Sequence, residues 1–155
     1  MSGKRTQVLV AVGLAVVLGG LFLLPRINNP NAPYLASLKD TGIACLNGHA
    51  NLSQHFHPHI TVLVDGIEET IHSNVGVVTG CMAEIHTHDT TGTIHVESTE
   101  SGKIFRLKDF FTAWNNPIEK EGYNLILTVN DIPYSEIGEL ILSDGQQIVL
   151  TYTSK

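Results

Sequence analysis

The chain has 155 residues, 43% of them hydrophobic, and a formal net charge of −6 with histidines neutral. Once an apolar N-terminal segment is set aside, that length supplies one domain of ordinary size. Residues 27–155 carry six basic side chains against all 15 acidic ones, a net charge of −9; such a surface repels nucleic acid, which is excluded as a partner, and attracts cations.

Lys4 and Arg5 precede an uncharged run at residues 8–24. As a helix that run would reach roughly 25 Å, the short end of a membrane span, and it exceeds the roughly 7–15 apolar residues of a cleavable signal peptide. Leu23-Leu24-Pro25-Arg26 offers no small-residue cleavage site. Residues 1–26 are therefore predicted to be an uncleaved signal anchor, with cleavage as the alternative. Lys4 and Arg5 keep the N-terminus cytoplasmic and place the rest outside, in a single-pass arrangement at the cell membrane. The Asn- and Pro-rich stretch at residues 27–41 reads as a linker, and residues 42–155 as an extracytoplasmic His-rich β domain. In an oxidising compartment the only two cysteines, Cys45 and Cys81, are expected to pair. Closing that loop would stabilise the fold by about 4 kcal/mol. A cysteine ligand beside His49 is the alternative.

Seven of the eight histidines fall between residues 55 and 97. His55-Phe56-His57-Pro58-His59 and Glu84-Ile85-His86-Thr87-His88-Asp89 alternate, as does Ile94-His95-Val96-Glu97. In extended backbone each run aims its imidazoles at one face and its apolar residues at the other. Asp65-Gly66 between residues 59–64 and 67–72 predicts a type I′ hairpin; counting outward from Val64 and Ile67 sets His59 opposite His72. Pro58 cannot donate a ladder hydrogen bond, so that end of the strand belongs at an edge or just outside the sheet. A second hairpin is predicted from Glu84 to Glu97. A two-residue loop sets His88 opposite His95, whereas a four-residue loop sets His86 opposite His95. Either keeps His86, His88, His95 and Glu97 on one face.

The remainder reads as scaffold. Residues 103–106 suit a short strand, and Leu107, Phe110, Phe111 and Trp114 make one apolar stripe of a two-turn helix. Residues 123–129 alternate toward a core, and residues 139–142 and 147–152 suggest a last hairpin through Ser143-Asp144-Gly145. The fold class expected is α+β, mainly β: a small antiparallel sheet domain with one short helix, β-grasp-like, or alternatively a β-sandwich.

Imidazole is the commonest protein ligand for zinc and copper and binds as the neutral ring. The candidate metal ligands are His55, His57, His59, His72, His86, His88 and His95, with Asp89 or Glu97 as a carboxylate ligand or hydrogen-bond acceptor. The expected cofactor is a copper or zinc ion; with Met82 the sole methionine of the domain, a methionine-rich copper(I) site is not supported. The leading function is a membrane-anchored metal-binding module for storage, delivery or sensing, working with an envelope partner. One alternative is a metal-dependent hydrolase or oxidase with three histidine ligands and Glu84, Asp89 or Glu97 as general base. Another is a structural or pH-responsive interaction domain. No helical His-Glu-x-x-His or nucleophile elbow is present, which weighs against an enzyme.

The runs His55-Phe56-His57-Pro58-His59, His86-Thr87-His88-Asp89, Ile94-His95-Val96-Glu97 and Phe105-Arg106-Leu107-Lys108-Asp109-Phe110-Phe111-Thr112-Ala113-Trp114 together resemble a mostly uncharacterised family of N-terminally anchored bacterial and archaeal proteins. The resemblance spans about residues 45–152. It implies an anchored domain and supplies no mechanism.

Overall fold

The computed structural model describes residues 29–155. The anchor expected at residues 1–26 lies outside them; among the described residues no helix is long and apolar enough to cross a membrane.

Helix α1 (Ala32–Asp40) carries Pro33 in its first turn, where a missing N–H costs least. Residues 32–40 of the stretch expected to be a linker are thus helical and belong to the domain. Its Leu38 is buried, and Tyr34 donates its hydroxyl to the Ala113 carbonyl at 2.8 Å. Strands β1 (Cys45–Leu46), β2 (Gln54–Phe56), β3 (His59–Val64) and β4 (Ile67–Glu69) follow. After them come β5 (Val77–Val78), β6 (Cys81–Ala83), β7 (Ile85–His86) and β8 (His95–Ser98). Helix α2 (Leu107–Trp114) is as its stripe predicts, burying Leu107, Phe110 and Phe111. Its first turn is closed by the Asp109 carboxylate, which accepts the Arg106 N–H at 2.7 Å. Strands β9 (Tyr123–Val129), β10 (Ile132–Tyr134) and β11 (Gln147–Ser154) complete the chain. The domain is mainly β with two α-helices, where one was expected.

Two tight turns frame the largest sheet. Asp65 and Gly66 both take positive φ (49° and 83°), the type I′ geometry that matches strand twist, and Val64 pairs with Ile67 as expected. Asn130 and Asp131 do the same (49° and 65°) between β9 and β10. β11 joins the two hairpins, antiparallel to β9 and parallel to β3, giving the order β10-β9-β11-β3-β4. The parallel pair needs a long crossover, which the chain between β4 and β9, including α2, supplies. Ile60, Val62, Leu127, Ile148, Leu150 and Tyr152 alternate onto the buried face.

The last hairpin does not form. Both edges of β11 are taken by β9 and β3, so residues 139–142 pair elsewhere. Leu107 N donates to Leu140 O and Leu142 N to Phe105 O, both at 2.9 Å, and residues 103–106 contribute only a single bridge, Arg106 with Ile141.

Two three-stranded sheets complete the structure, β1-β6-β5 and β2-β8-β7. Cys45 and Cys81 are joined by a disulfide. Because β1 and β6 also pair, with Cys45 opposite Ala83, the bond holds the segment leading to His49 beside the segment leading to His86.

Candidate metal centre

The central strand β8 organises the site. Its Val96 points into the core, fully buried. His95 and Glu97 therefore emerge on the opposite face. On one side β2 sets His55 opposite Glu97 and carries the chain on to His57. On the other, β7 sets His86 opposite His95, the register of the longer of the two expected loops. Ile85, Ile94 and Val96 are all buried.

Two trios of imidazoles result. His86, His88 and His95 place one ring nitrogen each within 4.8 Å of one another, and so do His55, His57 and His95. Either trio could hold a metal ion. Ring centroids stand 4.4 Å apart for His88 and His95, 4.6 Å for His57 and His95, and 4.5 Å for His55 and His57.

A local hydrogen bond settles which nitrogen of His86 is free. His86 Nδ1 lies 2.8 Å from the Ala83 carbonyl, which can only accept, so Nδ1 carries the hydrogen and Nε2 keeps its lone pair in the neutral ring. That Nε2 accepts a hydrogen bond from His88 Nε2 at 3.2 Å, a hydrogen that an incoming ion would displace. Two donors on one tetrahedral ion, each about 2.0–2.1 Å from it, are about 3.3 Å apart. The pair is already at ligating separation. Burial pushes the His86 pKa down to about 4, with the like charge of His88 and His95 adding to the fall and the Ala83 carbonyl and Glu97 opposing it. The ring is neutral at pH 7 and ready to ligate. Burial, followed by His88 and His57, also lowers the pKa of His95.

Glu97 stands behind the rings and ligates nothing in this arrangement. Its fully buried carboxylate accepts from His49 Nδ1 at 2.8 Å, and lies 3.1 Å from His55 Nε2 and 4.0 Å from His95 Nδ1. A carboxylate holding the outer nitrogen of a ligating histidine fixes the ring's orientation and raises its basicity. Close backbone approach holds the site from the other side. Gly76 (φ +77°) lies so near that a Cβ there would meet the Ile85 carbonyl at 2.5 Å and the His86 Cβ at 3.1 Å. Thr87 is locked between His72 O and Val75 N by its hydroxyl.

Three of the expected candidates are elsewhere. Pro58 breaks the His55–His59 run between β2 and β3, so His59 joins the large sheet. There its Nε2 donates to the Thr91 carbonyl at 2.7 Å. The β3–β4 ladder ends at Val62 with Glu69, so His72 never reaches His59. It is exposed and lines a cleft with Tyr34 and Trp114. Asp89 turns onto Thr91, accepting its N–H at 2.9 Å and its hydroxyl at 2.6 Å; these bonds hold its carboxyl below the usual range.

One residue of the cluster lacks a local sequence signal. His49 packs against His88 and His86 with centroids 5.6 and 6.2 Å away. The signal that could have found it is the cysteine pair: Cys45 lies just before His49 and Cys81 just before His86. Glu84, a candidate general base, is buried and already bound to Lys103, Ser98 Oγ and Ala44 N.

No protein-family model matches the chain, and comparison with curated proteins and with solved structures gives no match either. The chemistry of the site is therefore argued from its own geometry.

Proposed function

We propose that the protein is a membrane-anchored, extracytoplasmic metal-binding module that takes up Cu(II) or Zn(II) on its histidine face for storage, delivery or sensing. The observation that carries this reading is the His86–His88 pair. Two Nε2 atoms stand 3.2 Å apart, that of His86 keeping its lone pair because the Ala83 carbonyl holds the ring hydrogen on Nδ1, with His95 in reach. A surface that merely happened to use histidine has no reason to fix a tautomer and bury an imidazole behind a carboxylate. Neutral nitrogen donors of this kind suit Cu(II) and Zn(II). The −9 charge of residues 27–155 draws cations toward them.

Binding is preferred over hydrolysis because the carboxylates are occupied: Glu84 by three donors, Glu97 by two histidines and Asp89 by Thr91. The apolar run at residues 8–24, the Lys4–Arg5 charge before it and the disulfide support the location outside the membrane. An envelope protein that supplies or accepts the ion is the expected partner. The sheet order, with the first and last strands parallel at its centre and α2 in the crossover, supports a β-grasp-like scaffold. The anchored prokaryotic family that the histidine signature resembles fits the same reading.

The test is calorimetric titration of the full-length chain, purified in detergent, with Cu(II) and with Zn(II). Saturable binding in the micromolar range or tighter, weakened at least tenfold by His86→Ala, is expected. Binding only at millimolar metal, unchanged by that substitution, would overturn the proposal.

A further inference from the structure

His95 belongs to both trios, and its place in the sheet explains why. It lies on the middle strand β8, with β2 and its His55 and His57 on one side and β7 with His86 and His88 on the other. Among the described residues the five rings do not merge into one group of donors; they form two groups with His95 in common. An imidazole has two ligating nitrogens on different edges of the ring. His95 Nδ1 is buried and has no hydrogen-bond partner, and leaving such an atom buried and unpaired is costly. A single ion on the other nitrogen would leave that cost in place.

We propose that the two trios form one two-ion centre in which His95 bridges, one ion on each ring nitrogen. This rests on the metal-binding reading above and extends it to stoichiometry and electronic coupling. The first ion enters the His86–His88 side, where the donor pair is already at ligating separation. The second enters the His55–His57 side. There His55 Nε2 lies 3.1 Å from the Glu97 carboxylate. When the second ion binds, the remaining N–H bond of His95 breaks, a nitrogen–metal bond forms in its place, and the proton leaves to solvent. No electron moves.

The arrangement can be read magnetically, because two Cu(II) ions joined through one deprotonated imidazole couple their unpaired spins. Full-length protein would be loaded with one and then two equivalents of Cu(II) and its electron paramagnetic resonance signal integrated at low temperature. The signal should reach about one spin per chain at the first equivalent. It should then fall severalfold as the second binds, while metal analysis counts two ions. His57→Ala should stop loading at one ion with an ordinary signal; His95→Gln should abolish the coupling. Circular dichroism would verify that each variant folds, and the wild-type titration decides the matter alone. Two bound ions with two independent spins would overturn the bridge, and saturation at one ion would overturn the two-ion centre; both leave the metal-binding proposal standing. No tight binding at all would overturn both.

Discussion

The five-stranded sheet and the β2-β8-β7 sheet obey the same alternation but bury different things. In the larger sheet the inward positions are Ile60, Val62, Leu127, Ile148 and Leu150, and their stability comes from apolar area removed from water. In the smaller sheet one face buries Ile85 and Val96 while the other buries His86 and Glu97. Polar groups out of water must find partners. Most here do: His86 on Ala83, and Glu97 on His49 and His55. The exception is His95 Nδ1. The two regions show that a sheet packed by oil is complete on its own, whereas a sheet packed by imidazole is left with lone pairs that a metal ion can satisfy.

Substitutions that separate the two regions sharpen this contrast. Phe110→Ala, in the fully buried α2 stripe, should cost about 3–5 kcal/mol in urea unfolding while leaving the metal affinity of the folded fraction within about twofold. A large affinity change would mean that the regions are not separable. Breaking Cys45–Cys81 with Cys45→Ser and Cys81→Ser together should cost about 3–4 kcal/mol. Because the bond holds the His49 segment beside β6, metal affinity should fall as well, which titration of the folded double variant would reveal.

The next effect is on pH. His86 titrates near 4 in the folded chain but near 6.5 when unfolded, so between those values the unfolded state binds more protons. Stability is therefore fully present above about pH 6.5 and declines as pH drops toward 4, by about 3 kcal/mol for this ring. His95, shifted the same way, adds to the loss. Chemical denaturation of metal-free protein across that range measures it; a flat profile would contradict the burial of His86. Glu97→Gln should weaken metal binding by about 10–100-fold through loosened rings, with little change in register. The smallest effect belongs to His72→Ala, exposed and away from both trios: stability within about 0.5 kcal/mol and metal affinity unchanged. A marked loss of affinity there would redraw the site.

Much of the scaffold could be read locally. Asp65-Gly66 demanded its turn and register, the stripe from Leu107 to Trp114 demanded its helix, and parity placed His86, His95 and Glu97 on one face whichever even loop was used. Errors arose where long-range pairing overrode a local pattern. Residues 139–142 looked like a partner for β11 until β3 and β9 occupied both of its edges. His59 looked continuous with His57 until Pro58 divided them, and His72 looked opposite His59 until the β3–β4 ladder stopped at Glu69.

Periodicity and turn chemistry act over a few residues, so the amino-acid sequence by itself determined the hairpins, the α2 stripe and the alternation that sorts imidazole from core. The tertiary structure alone decided which histidines meet. Their convergence depends on β8 lying between β2 and β7, on the disulfide that brings His49 alongside, and on the buried Glu97 that holds two rings in place. Each of these is a contact between residues distant along the chain, whose partners no local rule can choose.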